Sequence, residues 1–311
     1  MNKRSALLKE GFVSGVRKGM QGFVWMVKIL VPISLFTAVL QWTGLIDGLE
    51  IFFRPLMGLL SLPAMAALPL IVGMLTGVYG GIATMVMLPF TRDQMTLMAI
   101  FILIAHNLIQ EGVVQSRSGI NPLKATAVRL IAAAFTVIVV ARFFDTAEFS
   151  SISQETAVQT GQTFAVMLEC WLVSATRLVI KIFFIILSLL IILEVLKSMG
   201  WISYLVKPFA PVLKLLGLNG SVGLMWITAV VFGLAYGAAV IVEEAKRGEV
   251  SREELEELHL SVGINHSMVE DPTLFLALGL SAFWLWVPRL ITAILAVHVL
   301  RLWQRARRAW V

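Results

Sequence analysis

The sequence predicts an all-α polytopic membrane protein, with about eight transmembrane helices in two homologous four-span repeats and short interfacial helices. Three observations predict it. Of 311 residues, 59% are hydrophobic and 14% charged, and mean hydropathy is +0.88. A water-soluble fold has no way to cover that much apolar surface, whereas a bilayer solvates it. The apolar residues also come in stretches long enough to span. Finally, the pattern of stretches restarts halfway along the chain.

Residues 1–20 are basic and amphipathic and read as a surface helix before a first span at 22–43. That span is too long for a signal-peptide core and lacks a small-residue cleavage site. A short apolar piece at 49–61, containing Arg54-Pro55, reads as interfacial. A glycine-rich span at 64–90 follows, with Gly73, Gly77, Gly80 and Gly81, and then spans at 95–116 and 123–144. A polar, turn-rich linker at 146–162 separates a first domain, 1–145, from a second, 163–311. The second domain repeats the order: an amphipathic piece at 163–177, a span at 178–198, a Lys207-Pro208 piece, and spans at 221–243, 257–278 and 282–304. The charged loop before the span at 257 carries Ser251 and Glu254 at capping-box spacing, a solvated helix start.

The repeat is visible residue by residue. The run Ile104 to Glu111 lies over Ile264 to Asp271 at an offset of 160, and Arg129-Leu-Ile over Arg289-Leu-Ile at the same offset. Tyr79-Gly80 pairs with Tyr236-Gly237, Arg54-Pro55 with Lys207-Pro208, and Lys28-Ile29 with Lys181-Ile182. Polar residues inside apolar helices are matched, which shared hydrophobicity alone would not produce.

Four spans per half give parallel repeats about an axis along the membrane normal, with both termini cytoplasmic. Lys197, Lys207 and Lys214 fall on the wrong side in that layout. Re-entrant glycine segments would change the parity and invert the halves. The net charge of +6 sits at span ends, so positive-inside topology accounts for it without nucleic acid. The location implied is a bacterial inner membrane. Cys170 is the single cysteine, which excludes an intramolecular disulfide and cysteine-based metal knuckles.

Mid-span polar residues are costly in lipid and mark candidate sites. His106, Asn107 and Gln110 in the first half, and Asn265, His266, Ser267 and Glu270 in the second, read as the lining of a substrate-binding cavity between halves. The competing reading is interhelical hydrogen bonding that holds the bundle together. Tyr79 and Tyr236 are second-rank members, since a buried hydroxyl needs a partner. Glu111 with Arg129, and Asp271 with Arg289, read as structural ion pairs across helical hairpins. Gly112 and Pro272 stand at matching positions where a helix break is expected. His106, His266, Glu111, Asp271 and Glu270 could supply N and O ligands, but no HxxxH or HExxH spacing is present and a site would require both halves to converge, so neither a metal site nor a cofactor is expected. No nucleophile motif, P-loop or dinucleotide fingerprint points to an enzyme.

The halves resemble the Gate, or nucleoside-recognition, domain of spore maturation proteins A and B and related bacterial membrane proteins. The resemblance rests on Lys28-Ile29 and Lys181-Ile182, Arg54-Pro55 and Lys207-Pro208, and the small-residue segments at Tyr79-Gly80 and Tyr236-Gly237, and covers most of the chain in two copies. Similar domains occur in nucleoside transporters and in the membrane part of a ferrous-iron transporter, so the resemblance implies solute transport. The latter's fused GTPase is lacking here, and its energising scheme is not implied. The expected function is a transporter or permease for a small solute, nucleoside-like or ionic, with the lipid bilayer and either a second copy or a membrane partner as its expected associates. The alternatives are a non-transporting scaffold or complex subunit, and an intramembrane enzyme acting on lipid.

Overall fold

The structure, a computed structural model, describes residues 3–144, 163–201, 210–218, 220–248 and 250–309, and every regular element among them is helical. The linker at 146–162 and Lys207-Pro208 themselves lie outside the described residues, while the end of the piece expected at 203–217 is described from residue 210.

The first element, α1 (Lys3–Trp42), is one continuous helix of 40 residues. At 1.5 Å per residue it is about 60 Å long, twice the hydrocarbon thickness of a bilayer. The separate surface helix expected at 1–20 is therefore fused to the first span. Its glycines explain why. Gly11, Gly15, Gly19 and Gly22 form one small-residue face, and that face is covered by protein. The covering element is α8 (Phe164–Ser198), in which the expected pieces 163–177 and 178–198 are likewise one helix. A Cβ on Gly15 would lie 2.5 Å from Ile191 Cα, and one on Gly11 2.8 Å from Val195 Cα.

The two long helices run antiparallel along their whole length. Phe23 meets Phe183 at 4.7 Å between ring centroids, and Trp42 meets Phe164 at 5.3 Å. Trp171 donates to Ser34, while Lys18 and Ser14 both bind Glu194 at 2.7 Å. Residue numbers in the contacts Gly11/Val195, Gly15/Ile191, Phe23/Phe183 and Trp42/Phe164 all sum to 206. With the offset of 153 that relates Lys28 to Lys181, this pairing maps onto itself around Met26 and Val179.

After α1 come α2 (Leu45–Leu59), a 3-10 turn (Ala64–Ala66), α3 (Ala67–Thr76) and α4 (Val78–Met87). The chain bends by 87° between α2 and the segment leading into α3. The glycine-rich segment expected as one crossing at 64–90 is instead a helical hairpin. It reverses at Gly77 (φ 93°), a conformation open to glycine. Gly81 then lies back over Gly73, where a Cβ would be 3.4 Å from its Cα. The second half does the same with α10 (Gly220–Phe232) and α11 (Leu234–Arg247), which follow α9 (Ala210–Leu216). Its tip is Gly233 (φ 79°), and a Cβ on Gly237 would lie 2.4 Å from Ala229 Cβ. Small residues let the arms approach this closely. By the two tips, Gly77 corresponds to Gly233, an offset of 156. That register places Tyr79 opposite Ala235, not opposite Tyr236 as the sequence pairing has it.

The remaining elements are α5 (Arg92–Ala105), α6 (Leu108–Arg117), α7 (Pro122–Ala141), α12 (Arg252–Asn265), α13 (Glu270–Leu276) and α14 (Ala282–Ala309). Both α5 and α12 open on capping boxes, Thr91 with Gln94 and Ser251 with Glu254. Among the described residues, five helical segments are long and apolar enough to cross a membrane, six if the bent pair counts. Three of the eight expected spans are not among the five: the two glycine-rich segments, which are hairpins whose first-half arms of 10 residues each reach about 15 Å, half the hydrocarbon thickness, and 257–278, which is divided between α12 and α13.

Candidate functional site

α5 is the most deeply buried helix, with every side chain from Thr96 to Ala105 inside the protein. It stops at His106, and the next residue, Asn107, is left-handed (φ 51°). In the second half α12 stops at His266, and Ser267 is again left-handed (φ 51°). Both helices are therefore interrupted at the histidines, ahead of Gly112 and Pro272 where the sequence places the disturbance. Gly112 is helical, and Pro272 lies in the first turn of α13, where its missing N–H costs no helical bond.

Each break receives the tip of a hairpin from its own half. Asn107 packs its side-chain amide on Gly77, where a Cβ would stand 2.7 Å from Oδ1. Ser267 and Met268 donate their backbone N–H groups to Ala229 O (3.1 Å) and Val230 O (2.8 Å), at the end of the first arm of the other hairpin. Ser267 Oγ sits against Gly233. Polar groups freed at a hairpin tip and at a helix break thus satisfy one another, which is the condition for irregular backbone inside a membrane protein.

The arginines close the broken ends. Arg129 on α7 donates through Nε to Ile104 O (3.0 Å) and through Nη2 to His106 O (3.1 Å). Arg289 on α14 does the same, through Nε to Ile264 O and through Nη2 to His266 O. Both arginines are 1% exposed. The expected pair Glu111–Arg129 is formed at 2.7 Å. The expected pair Asp271–Arg289 is not within ion-pair distance among the described residues. Asp271 instead turns to the first half, with Oδ2 3.2 Å from His106 Nε2. Glu111 mirrors it, with Oε1 3.5 Å from His266 Nδ1. Gly263 makes room for this: a Cβ there would be 2.8 Å from Arg129 Cδ. A glycine inside a helical pattern was the available signal for that close approach.

The centre of the site is the pair of histidines. His106 and His266, 2% and 1% exposed, face each other with Nε2 to Nε2 at 2.9 Å. Each Nδ1 lies on the carbonyl four residues back, Ile102 O at 2.9 Å and Val262 O at 3.2 Å. Alongside, Tyr79 of α4 donates to Glu270 Oε1 of α13 at 2.8 Å, a further bond between the halves. Asn265 is fully buried beside His266, and neither of its amide atoms has a hydrogen-bond partner among the described residues. Trp286, which sequence reasoning passed over, donates to the Met268 carbonyl at the second break.

Of the residues expected to line a site, His106, His266, Glu270 and Tyr79 are brought together between the halves, and Asn107, Asn265 and Ser267 stand at the breaks. Gln110 is exposed on α6 and outside the cluster, because the break turns α6 away from the face His106 occupied. Tyr236 lies on α11, its side chain outside the described residues. The expectation of no metal site rested on local spacing. Across the halves, ligand atoms of His106, His266 and Asp271 fall within 4.8 Å of one another.

Comparison with known proteins finds a relative in Bacillus subtilis (strain 168), the uncharacterized membrane protein YvoD, 30% identical over 292 residues that make up 93% of each chain. No family profile matches the chain, and no solved structure does. The chain belongs to the same membrane-protein family as YvoD.

Proposed function

We propose that this membrane protein is a transporter for a small solute, whose path runs between two inverted repeats and through the His106–His266 centre. One observation carries the reading: in each half a hairpin tip docks on the break of a discontinuous helix, and the two breaks meet. Discontinuous helices at mid-depth expose backbone amides and carbonyls beside polar side chains, and transporters assemble solute sites from such helices. A scaffold needs no such interruption.

In this reading each half crosses the membrane three times, as α1, α5–α6 and α7, then α8, α12–α13 and α14. The hairpins enter and leave on one side. An odd number of crossings inverts the second half, in keeping with the antiparallel contact of α1 and α8. The charges support the same layout. With both termini cytoplasmic, Arg117, Lys124, Lys197, Lys214, Lys246 and Arg247 all fall on the cytoplasmic side, and the lysines that opposed eight crossings no longer do. A bacterial inner membrane is the corresponding location, and the Gate-domain resemblance fits the transport assignment.

The test is flux into liposomes holding purified protein, across nucleosides, nucleobases, small anions, and monovalent and divalent cations, with and without a proton gradient. Flux of one class, lost in His106→Ala and His266→Ala, is expected. Absence of flux for every class, with correctly inserted protein, would remove the reading.

A further inference from the structure

We infer that the His106–His266 centre is a binding site for a divalent first-row transition-metal cation, held by His106 Nε2, His266 Nε2 and Asp271 Oδ2. The inference goes beyond transport and does not depend on it.

The argument starts from the imidazole tautomers. A backbone carbonyl only accepts, so Nδ1 of His106 on Ile102 O and Nδ1 of His266 on Val262 O are both N–H donors. In the neutral rings each Nε2 then carries a lone pair, and these two lone pairs face each other at 2.9 Å. Asp271 Oδ2 adds a third acceptor, 3.2 Å from His106 Nε2, and it has no hydrogen-bond donor among the described residues. Three acceptors thus converge where no donor is supplied. A single proton points along one line and serves one pair of them. A cation serves all three.

The geometry fits coordination. With metal–nitrogen bonds of roughly 2.1 Å, a 2.9 Å separation subtends about 90° at the metal. That is the edge of an octahedron, the 3.2 Å edge from His106 Nε2 to Asp271 Oδ2 is of similar length, and two imidazoles with one carboxylate is a ligand set found on six-coordinate divalent ions with open positions. The Nδ1–H bonds to backbone carbonyls are the outer contacts that fix ligating histidines in the required tautomer. The formal charge around the centre also favours a cation, with three carboxylates, Glu111, Glu270 and Asp271, against two guanidiniums, Arg129 and Arg289. The ligands come from both halves, so the ion would bridge the α5–α6 break to the α12–α13 break.

The experiment is metal binding to the purified full-length protein in detergent, with Co2+ as a spectroscopic probe and Zn2+ followed by calorimetry. We expect one ion per chain, visible Co2+ ligand-field absorption, and a rise in melting temperature on metal addition. His106→Gln, His266→Gln and Asp271→Asn should each weaken binding by at least roughly tenfold, while Gln110→Ala, outside the cluster, retains it. Size-exclusion profiles identify variants that fail to fold, and for those the paramagnetically shifted imidazole N–H proton resonances of the Co2+-loaded wild type stand as the readout of histidine ligation. Absence of Co2+ binding in the wild type, or equal binding in all folded variants, overturns the inference and leaves a shared proton between the rings. Binding without liposome flux would uphold this site and count only against the transport reading.

Discussion

Arg129 holds the carbonyl of His106, 3.1 Å from Nη2, and with it the end of the interrupted helix α5. The same guanidinium binds Ile104 O and Glu111, so three buried acceptors depend on one side chain. Arg289 repeats the arrangement on Ile264 and His266. Removing Arg129 as Ala strands a buried carboxylate and two carbonyls, a loss of about 3–5 kcal/mol. Arg129→Lys should recover little of it, because an ammonium does not reproduce the planar fork. Thermal unfolding in detergent should rank wild type well above Arg129→Lys, with Arg129→Ala lowest. Equal melting of all three would show that the helix end is held by other groups.

The antiparallel contact of α1 and α8 is open to cross-linking. In a Cys170→Ser background, Trp42→Cys with Phe164→Cys should be joined by a short bis-maleimide cross-linker, since the native rings meet 5.3 Å apart at one end of the helix pair. Trp42→Cys with Ser198→Cys, at opposite ends, should not. Parallel helices would reverse the two results.

Gly15 supports a packing prediction. With Ile191 Cα only 2.5 Å from the position of a Cβ, Gly15→Leu forces the long helices apart. Overpacking of this kind costs roughly 1–3 kcal/mol, and a lower melting temperature is expected. Gly58→Leu, with nothing within 4 Å of its Cβ position, should leave melting unchanged.

These residues also mark how far the sequence could be read. The offset of 160 located the interrupted helices through His106 and His266, and the matching arginines located what closes them. Ser251 with Glu254 announced the start of α12. Whether the segments around Gly77 and Gly233 cross or fold back was not legible. Hydropathy is the same in either case, and the decision lies in the close approach of Gly81 to Gly73 and Gly237 to Ala229. The Asp271–Arg289 pair failed for a related reason. Sequence spacing reports neighbours on one hairpin, whereas Asp271 meets His106 from the other half. The glycine face of α1 was a readable signal that the basic, amphipathic character of residues 1–20 obscured.

Sidedness separates six crossings from eight. With six, Arg92 at the start of α5 lies outside and Ser116 at the end of α6 lies in the cytoplasm. With eight parallel spans both assignments are exchanged. Both residues are exposed, so Arg92→Cys and Ser116→Cys in a Cys170→Ser background are suitable reporters. A membrane-impermeant maleimide applied to intact cells should label Arg92→Cys and spare Ser116→Cys until the membrane is opened. The reverse pattern would return the hairpins to full crossings and make the halves parallel. It would also put Arg117 and Lys124 outside, against the positive-inside preference, so charge placement and labelling test the same arrangement by independent routes.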